Sequence, residues 1–382
     1  IGANIRFADD GPTIDPTLNE VGGAVVDESE PVEAAAIPLV GGFTPRDDPH
    51  LSGGLAIGKR STSGPVIDAN AVFGADGPAN GGGISYALEV LNATSGLTTT
   101  EGTAINLVEL ANGVVVGVVD GTTTVAFAVS IDANTGVVTV EQYLSVFHPD
   151  SPDNFDEPVF LDEGSLGVTV TASDFDGDSV TSDAVDITSL IRFEDDGPSI
   201  EAALNANATV TVDESLPSGT PGIDTGDIVK GDDPDLEGGL AIGQANSGAA
   251  IVNANAVFGA DGPAASGSLV YALSITNPDP GVTLTDGTTI TMQLVDGVIV
   301  GVVDSGPFDG QAAFAIAINP ATGVVTVEQY LSLDHPVNPD PNDPLGLGEN
   351  TVAVTVTATD GDGDSVTSDA IDISDQISFL DD

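Results

Sequence analysis

The stretch GVTVTASDFDGDSVTSDAVDITSLIRFEDDGP, residues 167–198, decides the fold. Its apolar residues recur with period two. Val168, Val170 and Ala172 face one way and Thr169, Thr171 and Ser173 the other, as in a half-buried strand. The Asp/Gly run DFDGDSVT then reverses the chain. AVDITSLIRF puts Val185, Ile187, Ile191 and Phe193 on one face of a returning strand over 181–193. The expected element is a terminal hairpin that runs out on Asp195–Asp196, with its Asp turn at the opposite end.

The same text returns. VTASDFDGDSV at 170–180 becomes VTATDGDGDSV at 356–366, NAVFGADGP stands at 70–78 and 255–263, and TGVVTVEQYLS at 135–145 and 322–332. IRFADDGP (5–12), IRFEDDGP (191–198) and ISFLDD (377–382) set Phe7, Phe193 and Phe379 at a spacing of 186 residues. The chain therefore reads as the tail of a preceding repeat (1–10) and two repeats, 11–196 and 197–382. It opens in mid-pattern and is expected to be part of something longer. A period of this length is too long for a solenoid, so each repeat should have its own core. Short β-branched runs such as VVVGVVD (114–120) and VAFAVSI (125–131) end at Gly, Asn and Asp turns. The expectation is all-β: two tandem antiparallel β-sandwich modules, Ig-like or cadherin-like, joined end to end, each unit being one sandwich or two smaller ones.

The 382 residues carry 60 acidic and 6 basic side chains, a net charge of −54, yet 41% are hydrophobic. Such acidity alone would suggest disorder. With this much apolar material, the carboxylates are instead either neutralised by cations or well solvated. The sign of the field excludes nucleic acid and anionic membranes as partners. There is no cysteine, hence no disulfide and no thiol chemistry. No apolar run approaches the roughly 18 residues of a membrane span, and no signal peptide opens the chain. Few lysines and no cysteine fit export through a bacterial secretion channel.

The Asp turns need a reason, because three carboxylates at alternating positions repel. The hairpin geometry brings Asp174, Asp176 and Asp178 to Asp9–Asp10, and Asp360, Asp362 and Asp364 to Asp195–Asp196. Asp381–Asp382 repeats the joint at the end of the second copy. Carboxylates converging from a turn and a joint suit Ca²⁺, which takes six to eight oxygens at about 2.3–2.6 Å. The alternative is a plain solvated Asp/Gly turn; repetition and the paired joint favour the metal. The loop is not an EF-hand, since Ser179 and Val185 stand where Gly and Glu are required. VVDESEP (25–31) and TVDESLP (211–217) add Glu28 and Glu214. With the acidic segments 147–158 and 333–344, these glutamates are expected at the far end of each unit, beside its second joint.

VTATDGDGDSV, SIDANTGVVTVEQYLS and the DDGP joint together resemble the tandem repeats of giant type I-secreted biofilm adhesins, the RTX or Lap-type adhesins, over essentially the whole chain. That resemblance implies an extender on the bacterial surface, holding a distal adhesive domain away from the cell. The partners it implies are neighbouring repeats of the same chain, and the chain is expected to be monomeric. Part of the pattern also resembles cadherin repeats, in which a strand glutamate, an acidic joint and an Asp-x-Asp pair share calcium. The Leu-Asp-Arg-Glu element of cadherins is absent, and LSVFHPD (144–150) stands in its place.

Catalysis is not expected. His148 and His335 match between repeats, each before a proline, and fit a turn-packing role better than general-base work. His50 has Asp235 as its counterpart. Paired carboxylates serve glycosidases, but in aromatic-lined clefts, and the chain has no Trp and 4 Tyr. The second functional reading is that the modules themselves bind a glycan or protein ligand.

Overall fold

The computed structural model describes residues 9–19, 22–29, 37–46, 50, 56–149, 155–215, 219, 221–236, 241–336 and 342–381. They form an all-β protein of open sheets, with three short 3₁₀ turns as the only helical elements among these residues. Two compact units emerge. The first is Ile1–Pro198 together with two short turns, Phe258–Ala264 and Asp360–Asp364; the second holds the remainder. By sequence those two turns belong to the second repeat, but they pack with the first unit.

In the first unit a large sheet runs in the order Gly58–Ser61, Val138–Gln142, Thr124–Ile131, Val115–Val119, Ala104–Glu109, Thr94–Thr98. It faces a smaller sheet in which Leu166–Ser173 pairs with Ile84–Val90, Ser179–Thr181 and Val185–Asp186. Val168, Val170, Ile105, Leu107, Phe127 and Val129 meet in the core between them. The continuous apolar run Val114–Val119 is explained by a second cluster on the other side. Val116, Val118, Ala128 and Tyr143 are buried there with Ile37 and Ala56, so the large sheet is covered on both faces.

The second unit repeats the plan. A five-stranded sheet (Gly243–Ala250, Val324–Gln329, Ala312–Ile318, Val298–Val303, Ile290–Val295) stands with a sheet built on Leu269–Ile275 and Val352–Thr359. Its outer cluster contains Val300, Ala315 and Tyr330.

The returning strand expected over 181–193 is not one strand. Ser179–Thr181 and Val185–Asp186 pair with Leu166–Ser173, but a 3₁₀ turn at Thr188–Leu190 intervenes. Ile191–Glu194 then enters another sheet, between Pro158–Phe160 and Ala24–Asp27. Its pairing with Ala24–Asp27 is parallel, against the antiparallel expectation. The period-two pattern survives this switch because Ile191 and Phe193 still point into the core, so periodicity alone could not reveal the change of partner.

Phe193 anchors the joint strand. Its ring lies 5.0 Å from that of Phe127, and Phe379 and Phe314 form the same pair at 5.8 Å in the second unit. Phe127 in turn lies against Gly117, and Phe314 against Gly301, where any Cβ would overlap the ring. Gly117→Ala and Gly301→Ala should therefore each cost about 1–3 kcal/mol by forcing the ring from its rotamer. A lower denaturant midpoint checks this, and an unchanged one would show that the ring is not held there.

Candidate metal centre

Strand register explains why an acidic centre forms. Ala24–Asp27 and Ile191–Glu194 run parallel with Asp27 opposite Glu194, so their next residues, Glu28 and Asp195, leave the sheet side by side. The Glu28 backbone N–H donates to the Glu194 carbonyl at 3.0 Å. The segment after Val138–Gln142 crosses the same end. Gln142 Nε2 donates to Glu28 Oε1, and the Val146 N–H donates to that oxygen at 3.1 Å. His148 follows, with Nε2 3.4 Å from the Phe193 carbonyl and Nδ1 3.3 Å from Asp195 Oδ1.

The two additional turns of the first unit complete the group. Asp196 Oδ2 accepts from the Ala260 N–H at 3.0 Å, and a Cβ on Gly259 would overlap that carboxylate. Pro263 bridges to Asp360, which docks the FGADGP loop against the Asp turn. Within the turn the Asp360 N–H donates to the Asp364 carbonyl at 3.0 Å. Asp360 Oδ1 accepts from Gly363 N–H at 3.2 Å, with φ 116° at Gly363 requiring glycine. Two neighbouring constellations result: Glu28, Asp196 and Asp261; and His148, Asp195 and Asp362. In each, one donor atom per residue lies within 4.8 Å of the others.

These carboxylates are buried and under-satisfied. Glu28 is 1% exposed, Asp261 4%, Asp360 0% and Asp364 1%. Glu28 Oε2, Asp196 Oδ1, both oxygens of Asp261 and Asp362, and Oδ2 of Asp360 and Asp364 have no hydrogen-bond partner. Burial pushes Glu28 up to about 8, Asp360 to about 8 and Asp196 to about 6. Asp364 rises to about 7, through burial and then the charge of Asp195. Asp261 is driven to about 12, through burial and then the charges of Glu28, Asp362, Asp195 and Asp196. For His148 burial acts downward but is outweighed by the neighbouring carboxylates of Asp195 and Glu28, so it rises to about 9. Glu141 shows what a satisfied buried carboxylate looks like here. Lys59 Nζ lies 2.7 Å from its Oε1, while the Ile37 N–H and Tyr143 O–H donate to Oε2. Among the described residues the oxygens named above have no such donor, and either protons or cations must neutralise them.

Two partial versions accompany the full one. In the first unit Asp9, Asp10 and Asp76 converge, as do Asp9, Asp176 and Asp178, all exposed. Asp10 Oδ2 accepts from the Ala75 N–H at 3.1 Å, the counterpart of Asp196 and Ala260. Asp174 is buried and caps its own turn, accepting from Gly177 and Asp178 N–H groups at 3.1 and 2.8 Å, with Oδ2 unpartnered. The hydrogen bond that protonated Asp176 gives to Asp174, and then partial desolvation, raise Asp176 to about 6. In the second unit Glu214, His335 and Asp381 meet by the same register, Asp213 standing opposite Leu380.

The turn and joint residues picked out in the sequence are thus brought together, and Glu28 and Glu214 reach the joints. Asp382 lies outside the described residues. Sequence reading missed Asp76 and Asp261, although NAVFGADGP was visible as a repeat. It left His148 and His335 as packing residues, whereas both stand among carboxylates.

A search of curated proteins gave no match. A family model, Domain of unknown function (DUF5801), matches twice, at residues 23–188 and 209–374, two copies offset by the same 186-residue period as the sequence repeat. With well over half of its length covered by those two copies, the chain belongs to the DUF5801 family.

Proposed function

We propose that the protein is a structural extender: tandem repeats of a secreted bacterial surface adhesin, made rigid by Ca²⁺ and serving cell adhesion and biofilm formation by projecting a distal domain. The observation that carries this reading is the set of buried carboxylate oxygens without partners around Asp195–Asp196. Ca²⁺ prefers six to eight hard oxygens and tolerates irregular geometry, which fits Glu28, Asp196 and Asp261 with oxygens from Asp195 and the 360–364 turn. The ion would supply charge neutralisation and a cross-link among segments remote in sequence. The partial groups support the reading further. The first unit also gathers Asp9, Asp10, Asp76, Asp176 and Asp178, and the second Glu214, His335 and Asp381, so acidic groups of this kind recur along the chain. The acidic groups then have a structural role rather than a catalytic one, the partners are neighbouring repeats, and the setting is extracellular.

Small-angle scattering tests this. The extender reading expects an elongated particle in calcium and greater flexibility in chelator. Replacing Asp195 and Asp196 by Ala should produce the chelated behaviour even in calcium, with both cores still folded by circular dichroism. A compact particle in calcium would remove the extender reading.

A further inference from the structure

His148 and His335 share a geometry that an oxygen-only calcium site does not explain. Each imidazole is almost fully buried, its side chain 1% and 3% exposed respectively. Each has one nitrogen turned to a backbone carbonyl: His148 Nε2 to Phe193 at 3.4 Å, and His335 Nδ1 to Asp343 at 2.9 Å. A carbonyl only accepts, so that nitrogen carries the proton and the other presents a lone pair in the neutral ring. In both copies this second nitrogen, His148 Nδ1 or His335 Nε2, has no hydrogen-bond partner and faces carboxylates. It lies 3.3 Å from Asp195 Oδ1 in one case and 3.9 Å from Glu214 Oε1 in the other. These are poor hydrogen bonds but reasonable separations for two donors sharing an ion. With metal–ligand bonds of about 2.0–2.2 Å, adjacent tetrahedral ligands stand about 3.3–3.6 Å apart.

We infer that the two histidines are ligands of a divalent transition ion, Zn²⁺ being the natural occupant: His148 with Asp195 and Asp362, and His335 with Glu214 and Asp381. Hard Ca²⁺ rarely takes an imidazole, whereas Zn²⁺ takes one readily alongside carboxylates. The backbone carbonyl on the far nitrogen fixes the ring and its tautomer, as partners of metal-bound histidines commonly do. That the arrangement forms twice, in two separately packed units and from different ring nitrogens, makes an accident of side-chain placement a poor explanation. The repeat would thus hold two kinds of ion: an all-oxygen group centred on Glu28, Asp196 and Asp261, and a nitrogen–oxygen group beside it. Asp195, Asp362, Glu214 and Asp381 are common to the calcium reading, but the zinc sites do not depend on calcium being bound.

The test is calorimetric titration of Zn²⁺ into metal-stripped protein, with and without millimolar Ca²⁺, using the whole chain. The expectation is two equivalents bound in both conditions. His148→Gln and His335→Gln should each remove one equivalent, or weaken it at least about 10–100-fold. Zinc X-ray absorption on the unmodified protein guards against a variant that fails to fold, and should show an imidazole nitrogen on each bound ion. Zinc binding undiminished in the double variant, an oxygen-only spectrum, or no binding would each overturn the inference. The last would leave the buried nitrogens to imidazolium–carboxylate pairs. Running the calcium-free arm keeps the two readings apart, because a failure of calcium to bind would leave the zinc result unaffected.

Discussion

Chelation should lower the melting temperature, and millimolar calcium should restore it far better than sodium at matched ionic strength. The reason lies in how many carboxylates share one place. Two unscreened carboxylates about 4 Å apart repel by roughly 1 kcal/mol in water and about 4 kcal/mol at an effective dielectric of 20. Glu28, Asp195, Asp196, Asp261 and the 360–364 turn present several such pairs, enough to rival the ~5–15 kcal/mol that holds a typical domain together. A divalent ion reverses the sign of that local interaction. It also binds the assembled centre better than the unfolded chain, and at 100 to 1,000 times its dissociation constant this contributes about 2.7–4.1 kcal/mol per site. For a module of this size each kcal/mol moves the melting point by about 2–4 °C, so a rise on the order of 5–15 °C per occupied site is expected. Sodium screens exposed charge over about 8 Å at physiological strength but coordinates nothing. Magnesium should rescue only in part, since it demands octahedral geometry and dehydrates reluctantly. Superimposed melting curves in calcium and chelator would mean the centre is neutralised by protons alone.

How much of this was legible in the sequence depends on which physical signal each residue left. The strands were legible because side-chain alternation is a local property: Val168, Val170 and Ala172 are buried as their spacing requires. The break after Asp186 was not, because Ile191 and Phe193 keep the same alternation while joining a different sheet. The meeting of turn and joint was legible from hairpin length and the repeated Asp–Asp pair. Asp261 was not, since a single Asp in FGADGP looks like an ordinary turn residue. Only the fold shows that Gly259 lets Asp196 press against that loop and that the Pro263–Asp360 bridge docks it on the Asp turn. The histidines were visible as a matched pair, but their role rests on which ring nitrogen meets a carbonyl, and sequence carries no trace of that.

The second large effect concerns pH, and its direction is opposite to that of most acidic residues. In chelator, stability should fall as pH rises from about 5 to about 8. A carboxylate whose folded-state pKa is raised binds its proton more tightly folded than unfolded. Between the two values the native state therefore holds more protons, and the slope of unfolding free energy against pH is negative. Glu28 moves from the usual 4.5 to about 8, Asp360 to about 8, Asp364 to about 7 and Asp196 to about 6, so their losses fall within this window. Asp261, at about 12, stays protonated across it in the native state, and the unfolded chain has already lost that proton near pH 4, so its contribution also declines over the same range. His148, raised to about 9, acts in the same direction at the alkaline end, since its stabilising charge disappears as pH rises through that value. A folded-state pKa that stands one pH unit above its unfolded value corresponds to about 1.4 kcal/mol, so a few such groups weigh heavily against marginal stability. Calcium should flatten or reverse the trend, because it requires ionised oxygens and binds more tightly as pH increases. At neutral pH its binding should release protons, detectable by calorimetry in two buffers of different ionisation enthalpy. Glu28→Gln imitates the protonated acid, so in chelator it should remove part of the slope and melt higher than the parent at about pH 8, while gaining less from calcium. Melting temperatures in chelator that climb through this pH range would show the carboxylates ionised without any cation, and the case for a built calcium centre would fall with them.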